Sequence, residues 1–65
     1  MDDLTGAEYD TLVKLIKYGA QDDGDLPSKS GMRSLIGKGL AGRDYLQKKA
    51  NYATNKGVDL YNGIY

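Results

Sequence analysis

The clearest pattern in the chain is an apolar stripe at Tyr9, Leu12, Val13 and Ile16, whose i, i+3, i+4, i+7 spacing marks one face of an α-helix. A start signal stands in front of it. Thr5 and Glu8 form a T-x-x-E capping box, and Leu4 and Tyr9 sit where a hydrophobic staple would flank it. Gly19 supplies the stop, so the pattern predicts a helix over roughly residues 6–18. Leu15 stands off the stripe, where it can touch a second element.

The next segment, AQDDGDLP, is rich in turn residues and punctuated by Gly24 and Pro27. Ser28 or Ser30 then caps a second helix over 28–38, with Met32, Leu35 and Ile36 facing inward. Gly39 is placed as the left-handed C′ residue of that helix. Leu40 follows as C″, folding back toward Leu35 in a Schellman arrangement. The opposite face carries Lys29, Ser30, Arg33 and Ser34. Together with the first stripe this gives an expected core of Leu12, Val13, Ile16, Met32, Leu35, Ile36 and Leu40.

Beyond Leu40 the periodicity weakens, and two readings stay open. One is a pair of strands, about Ala41–Leu46 and Ala50–Thr54, joined by the polar tip Gln47-Lys48-Lys49. The other is a helix through DYLQKKANYA, whose Leu, Gln, Lys and Ala favour helix. Thr54 then caps a last short helix, NKGVDLYNG, with Val58 and Tyr61 inward and with Gly57 and Gly63 weakening it.

Composition narrows what such a body can do. Sixty-five residues make one domain, 1–65, near the lower limit for folding on an apolar core alone. There is no cysteine for a disulfide or thiolate site and no histidine, which removes the commonest general base and metal ligand. No apolar stretch approaches the ~20 residues of a membrane span, and no signal-peptide pattern opens the chain, so a cytoplasmic location is expected. Net charge is zero but unevenly spread. Residues 1–26 carry seven acids against Lys14 and Lys17, a balance of −5, while 27–65 carry seven bases against Asp44 and Asp59, a balance of +5. That asymmetry suggests a basic working face. Six tyrosines, with no Phe or Trp, complete the picture. Tyr9, Tyr52 and Tyr61 fit core or half-core positions, whereas Tyr18, Tyr45 and Tyr65 are harder to bury together.

The order of elements resembles an abbreviated winged helix-turn-helix domain of the kind found in small phage and bacterial proteins. In that family the recognition helix commonly ends in a leucine, a spacer and Lys-Gly-Leu, matched here by Leu35, Lys38, Gly39 and Leu40. The second wing strand commonly runs into a Thr-x-x-Gly helix start, matched by Tyr52, Thr54, Lys56, Gly57 and Leu60. Full members have a further helix before the recognition helix, where this chain has only QDDGDLP. The resemblance implies an α+β fold, mostly helical, with two or three helices and a β-hairpin wing at 41–54. It tips residues 41–54 toward the hairpin.

Motifs that imitate chemistry lack the context they need. Gly37, Gly39 and Gly42 spell G-x-G-x-x-G, but they close a helix instead of opening one after a strand. Gly31 to Gly37-Lys38 has one residue too many for a P-loop, and Gly39 stands where a magnesium-binding Ser or Thr belongs. Asp22, Asp23 and Asp25 lack the alternation and distant glutamate of a calcium loop. No nucleophile–base pair is in view, so neither an enzyme nor a cofactor or metal site is expected.

Two binding functions remain. The first is a DNA-binding regulator. Lys29, Ser30, Arg33, Ser34 and Lys38 would enter the major groove, while Arg43, Lys48 and Lys49 on the wing would meet phosphates. So few bases suit a half-site, so a homodimer or partner is expected to bring two together. The second is an inhibitor or adaptor that binds a host protein through the same scaffold, favoured by the acidic first half and an isoelectric point near 6.1.

Overall fold

A computed structural model describes residues 4–64, and the side chains through Gly63; Tyr65 and the first three residues lie outside this range. Among the described residues the order is helix α1 (Gly6–Lys17), a 3₁₀ turn (Asp23–Asp25), helix α2 (Lys29–Gly37), strand β1 (Ala41–Arg43), strand β2 (Asn51–Ala53) and helix α3 (Asn55–Ile64). The fold is α+β and mostly helical, with an antiparallel hairpin between the second and third helices.

The helix ends follow local chemistry. Thr5 Oγ1 accepts from Glu8 N at 3.2 Å, and Thr5 N donates to Glu8 Oε1 at 2.9 Å, closing the capping box. Ser28 caps α2 by accepting from Gly31 N at 2.9 Å, and Thr54 caps α3 by accepting from Gly57 N at 3.1 Å. α2 closes in a full Schellman motif: Leu40 N donates to Leu35 O at 2.9 Å and Gly39 N to Ile36 O at 3.0 Å, with Gly39 at φ +76°.

The core gathers Leu12, Leu15, Met32, Leu35, Leu40 and Ala41, with Leu4, Ile16, Leu26, Ala53, Leu60 and Tyr61 packed on its rim. Two expectations about this core need correction. The buried face of α1 is Glu8, Thr11, Leu12 and Leu15, rotated away from the Tyr9–Val13–Ile16 side, and Val13 is only half-buried. The rotation arises because α1 is covered on two sides. Gly31 of α2 crosses against Ala7 and Glu8, while Gly57 of α3 sits beside Leu12. Of the polar members of the buried face, Thr11 is satisfied, as its Oγ1 reaches Ala7 O at 2.8 Å and Ser28 O at 3.4 Å. Ile36 is the second correction. It is exposed, because α2 packs through Gly31, Met32 and Leu35 and Ile36 lies off that face.

The stretch 44–53 is not a continuous helix. Ala41 pairs with Ala53, Gly42 with Tyr52 and Arg43 with Asn51. The ladder extends one step each way through Asp44 N to Ala50 O, 2.9 Å, and Thr54 N to Leu40 O, 3.1 Å. The strands are shorter than the residue pattern suggests, because Asp44 starts a turn: its Oδ1 accepts from Leu46 N and its carbonyl from Gln47 N, both at 3.0 Å. Tyr52 lies on the solvent face of the hairpin with its ring over Gly42, where a Cβ would stand 2.5 Å from the ring. It is therefore a cover for a glycine and not a core residue. The connection after α1 does more than turn. Gln21 and Asn51 exchange backbone hydrogen bonds at 2.9 and 3.0 Å, which adds an isolated antiparallel bridge to the outer edge of β2.

Candidate nucleic-acid interface

Lys29 and Arg33 stand one turn apart on α2, both exposed, because the apolar side of that helix is taken by Met32 and Leu35. Arg43 ends β1. The hairpin brings it to α2, so that Lys29, Arg33, Arg43 and Asp23 line one open cleft of about 140 Å³. Three cations and one carboxylate thus share a concavity assembled from three separate segments.

Asn51 is the joint behind this cleft. It is fully buried, yet every polar atom of its amide is used. Nδ2 donates to Asp23 Oδ1 at 2.7 Å and to Gln21 O at 3.1 Å, while Oδ1 accepts from Arg43 Nε at 2.8 Å. Asp23 Oδ2 accepts from the Tyr45 hydroxyl at 3.2 Å, and its Oδ1 lies 3.9 Å from Arg43 Nε. The Arg43 guanidinium carbon also stands 5.7 Å from the Tyr45 ring centroid, a cation–π distance. The Asn51 hydrogen bond is the main reason the Asp23 carboxyl is held below its ordinary range, helped by Tyr45, Arg43 and Lys29 against the opposing cost of desolvation. Because Arg43 is anchored through Nε, its terminal nitrogens remain as a fork for an anion or a base edge.

The other residues expected in a binding surface divide. Ser34 is exposed on α2 and Ser30 is exposed with its hydroxyl 3.2 Å from that of the capping Ser28. Lys48 and Lys49 are exposed on the loop between the strands and do not line the cleft. Lys38 is placed differently from Lys29 and Arg33. It is half-buried and paired with Glu8, its Nζ 3.0 Å from Oε1 and 2.9 Å from Oε2. It neutralises a buried carboxylate while its side chain stays 34 % exposed.

Asp23, Asn51 and Tyr45 were not marked by the residue pattern as members of this site. Their contacts join positions 22 to 28 residues apart, so no local spacing announces them. The one sequence signal is Asn51 itself, a polar residue at the start of a strand whose neighbours Ala50 and Ala53 face the core. Among the described residues no group of three His, Cys, Asp or Glu stands ready to hold a metal ion. Among the same residues, no helix is long and apolar enough to cross a membrane. Comparisons with family models, with curated proteins and with solved structures each found no match.

Proposed function

We propose that this chain is a small, non-enzymatic DNA-binding regulator of abbreviated winged-helix type, working in the cytoplasm, with α2 as its reading helix and 41–54 as its wing. The observation that carries this reading is the convergence of Lys29 and Arg33 from α2 with Arg43 from the hairpin on a single cleft. A phosphodiester carries one negative charge at each residue of the backbone, and a fork of fixed guanidinium nitrogens beside a lysine is suited to hold it. Ser30, Ser34 and Arg33 on the exposed side of α2 are then placed to meet base edges, and Lys48 and Lys49 to meet a neighbouring phosphate. The cationic surface of one copy is small, so two copies on paired half-sites are the expected binding unit.

The experiment is fluorescence anisotropy of labelled duplex DNA titrated with the protein at rising salt. Binding at low salt that weakens with a slope of about −0.9 for each phosphate neutralised supports the reading. Absence of duplex binding at low salt, up to dimer-forming concentration, overturns it. The competing reading is an inhibitor or adaptor docked on a host protein. It draws on Tyr18, 75 % exposed at the end of α1, and on the zero net charge. A host protein that stays bound through high-salt washes would favour it.

A further inference from the structure

Leu46 is 94 % exposed, the largest exposure of any bulky apolar side chain among the described residues, and Tyr45 beside it is 69 % exposed. A lone exposed leucine is ordinary. This one is different because the chain around it is held in place. Asp44 N donates to Ala50 O and closes the base of the loop, and Asp44 then binds both Leu46 N through its side chain and Gln47 N through its carbonyl. Tyr45 is tied to Asp23 through its hydroxyl and lies against the Arg43 guanidinium. Leu46 therefore projects from a turn whose backbone is fixed on both sides, so little conformational freedom remains to be lost on binding.

Cations outnumber the carboxylates around this apolar tip once Asp44, turned onto Leu46 N, and Asp23, bound by the Tyr45 hydroxyl, are set against them. Lys48 and Lys49 follow it after Gln47 and are exposed, and Arg43 stands at its base. The surface it fits is polyanionic outside and apolar inside. We propose that Leu46, braced by Tyr45, is a wedge that enters an unstacked base step of duplex DNA while Lys48 and Lys49 hold the flanking phosphates. Apolar side chains inserted between bases kink the duplex and bring more of it against the protein. The inference rests on the DNA-binding reading, since the same duplex must also fill the cleft of Lys29, Arg33 and Arg43. A lipid surface shares the anionic exterior, but one leucine and one tyrosine bury too little apolar area to anchor a chain there.

A wedge favours DNA whose stacking is already weakened. The probes are a short fully paired duplex, the same duplex with a central mismatch, and phosphatidylserine vesicles. Wild type should bind the mismatched duplex about tenfold or more tightly than the paired one, because part of the unstacking cost is already met. Leu46→Ala should erase that preference, Leu46→Phe should keep it, and Lys48→Ala should weaken binding to both duplexes alike. The Leu46 side chain touches little of the fold, so a wild-type melting temperature for Leu46→Ala serves as the folding control. Equal binding of both duplexes by wild type, or a preference that survives Leu46→Ala, overturns the wedge and leaves the DNA-binding reading standing. Vesicle binding that depends on Leu46 overturns it in favour of a lipid surface. Failure to bind either duplex overturns both readings together.

Discussion

The Lys38 ammonium lies 2.9 Å from Glu8 Oε2 and donates to Glu8 Oε1 at 3.0 Å, joining the C-cap of α2 to the first turn of α1. The carboxylate is 3 % exposed, and Oε2 accepts no hydrogen bond, so the ammonium is what compensates it. Lys38→Ala leaves that charge buried beside Thr5 without its ammonium. The expected cost is roughly 1–3 kcal/mol, below that of a fully buried pair because the Lys38 side chain is 34 % exposed and partly screened. Urea unfolding of the variant checks it, and an unchanged midpoint would remove the ion pair from the account of stability.

The same contact gives a pH dependence. The Thr5 backbone N–H first, and Lys38 second, hold the Glu8 carboxyl below its ordinary value against the cost of desolvation. A group whose pKa falls on folding contributes stability above its unfolded value, about 4.3 for glutamate, and loses it as pH drops through the lower folded value. The melting temperature should therefore decline in acid below that point. Glu8→Gln should flatten this part of the profile, at the cost of lower stability at neutral pH.

Gly31 and Gly37 share a helix and should respond to alanine with opposite signs. A Cβ on Gly31 would stand 2.7 Å from Ala7 O and 2.9 Å from Ala7 C, and the backbone of α1 cannot yield without opening the crossing of the two helices. Gly31→Ala should destabilise by roughly 1–3 kcal/mol. A Cβ on Gly37 meets nothing within 4 Å. Gly37→Ala should stabilise by up to about 1 kcal/mol through the lower backbone entropy of the unfolded chain and higher helix propensity. Denaturant titrations of the two variants decide it, and equal shifts would mean that α1 and α2 do not cross at Gly31.

Much of this architecture was written in local sequence. Thr5, Ser28 and Thr54 cap helices through hydrogen bonds that span three residues, and Gly39-Leu40 closes α2 with bonds of similar reach. Such signals need no knowledge of the rest of the chain. The orientation of α1 was less legible, because Glu8 and Thr11 are polar and their burial depends on Lys38 and Ser28 arriving from α2. Lys38 shows the same limit in the site. Its position near the end of a basic helix suggested a contact with DNA, and only the fold reveals the carboxylate it meets. The convergence of Arg43 with Lys29 and Arg33 depends on the hairpin, whose residues are equally suited to helix until Gly42, Tyr52 and the Gln21 bridge are seen together.

Asn51 should prove the least replaceable polar residue of the site. Asn51→Ala strips hydrogen bonds from Asp23, Arg43 and Gln21 at once and leaves a space in a fully buried position. A loss of roughly 1–3 kcal/mol is expected, mainly from the space left at a buried position. Asp23 and Arg43 are partly exposed, so water can replace the bonds they lose. The Asp23 pKa should rise in this variant, because the Asn51 hydrogen bond is the chief cause of its depression. Carboxyl chemical shifts followed through an acid titration would show the change, and an unmoved Asp23 would mean that another contact sets its charge.

Arg33 and Lys48 should separate reading from holding. Arg33 is exposed on α2 and lines the cleft, whereas Lys48 is exposed on the hairpin loop away from it. If α2 reads bases, Arg33→Ala should lower affinity for the preferred sequence by about 1–3 kcal/mol and relax the preference at one base position. Lys48→Ala should weaken binding to all sequences alike and reduce the salt slope by about one unit. Both side chains are solvent-exposed, so neither change should move the melting temperature much. Arg43→Ala should differ from both, because its Nε also supports the buried Asn51 and the variant should melt earlier as well as bind more weakly. The measurement is a salt titration of preferred and random duplexes with wild type and the three variants. Equal losses on both duplexes for Arg33→Ala and Lys48→Ala would reduce α2 to a phosphate contact and end its role as the reading helix.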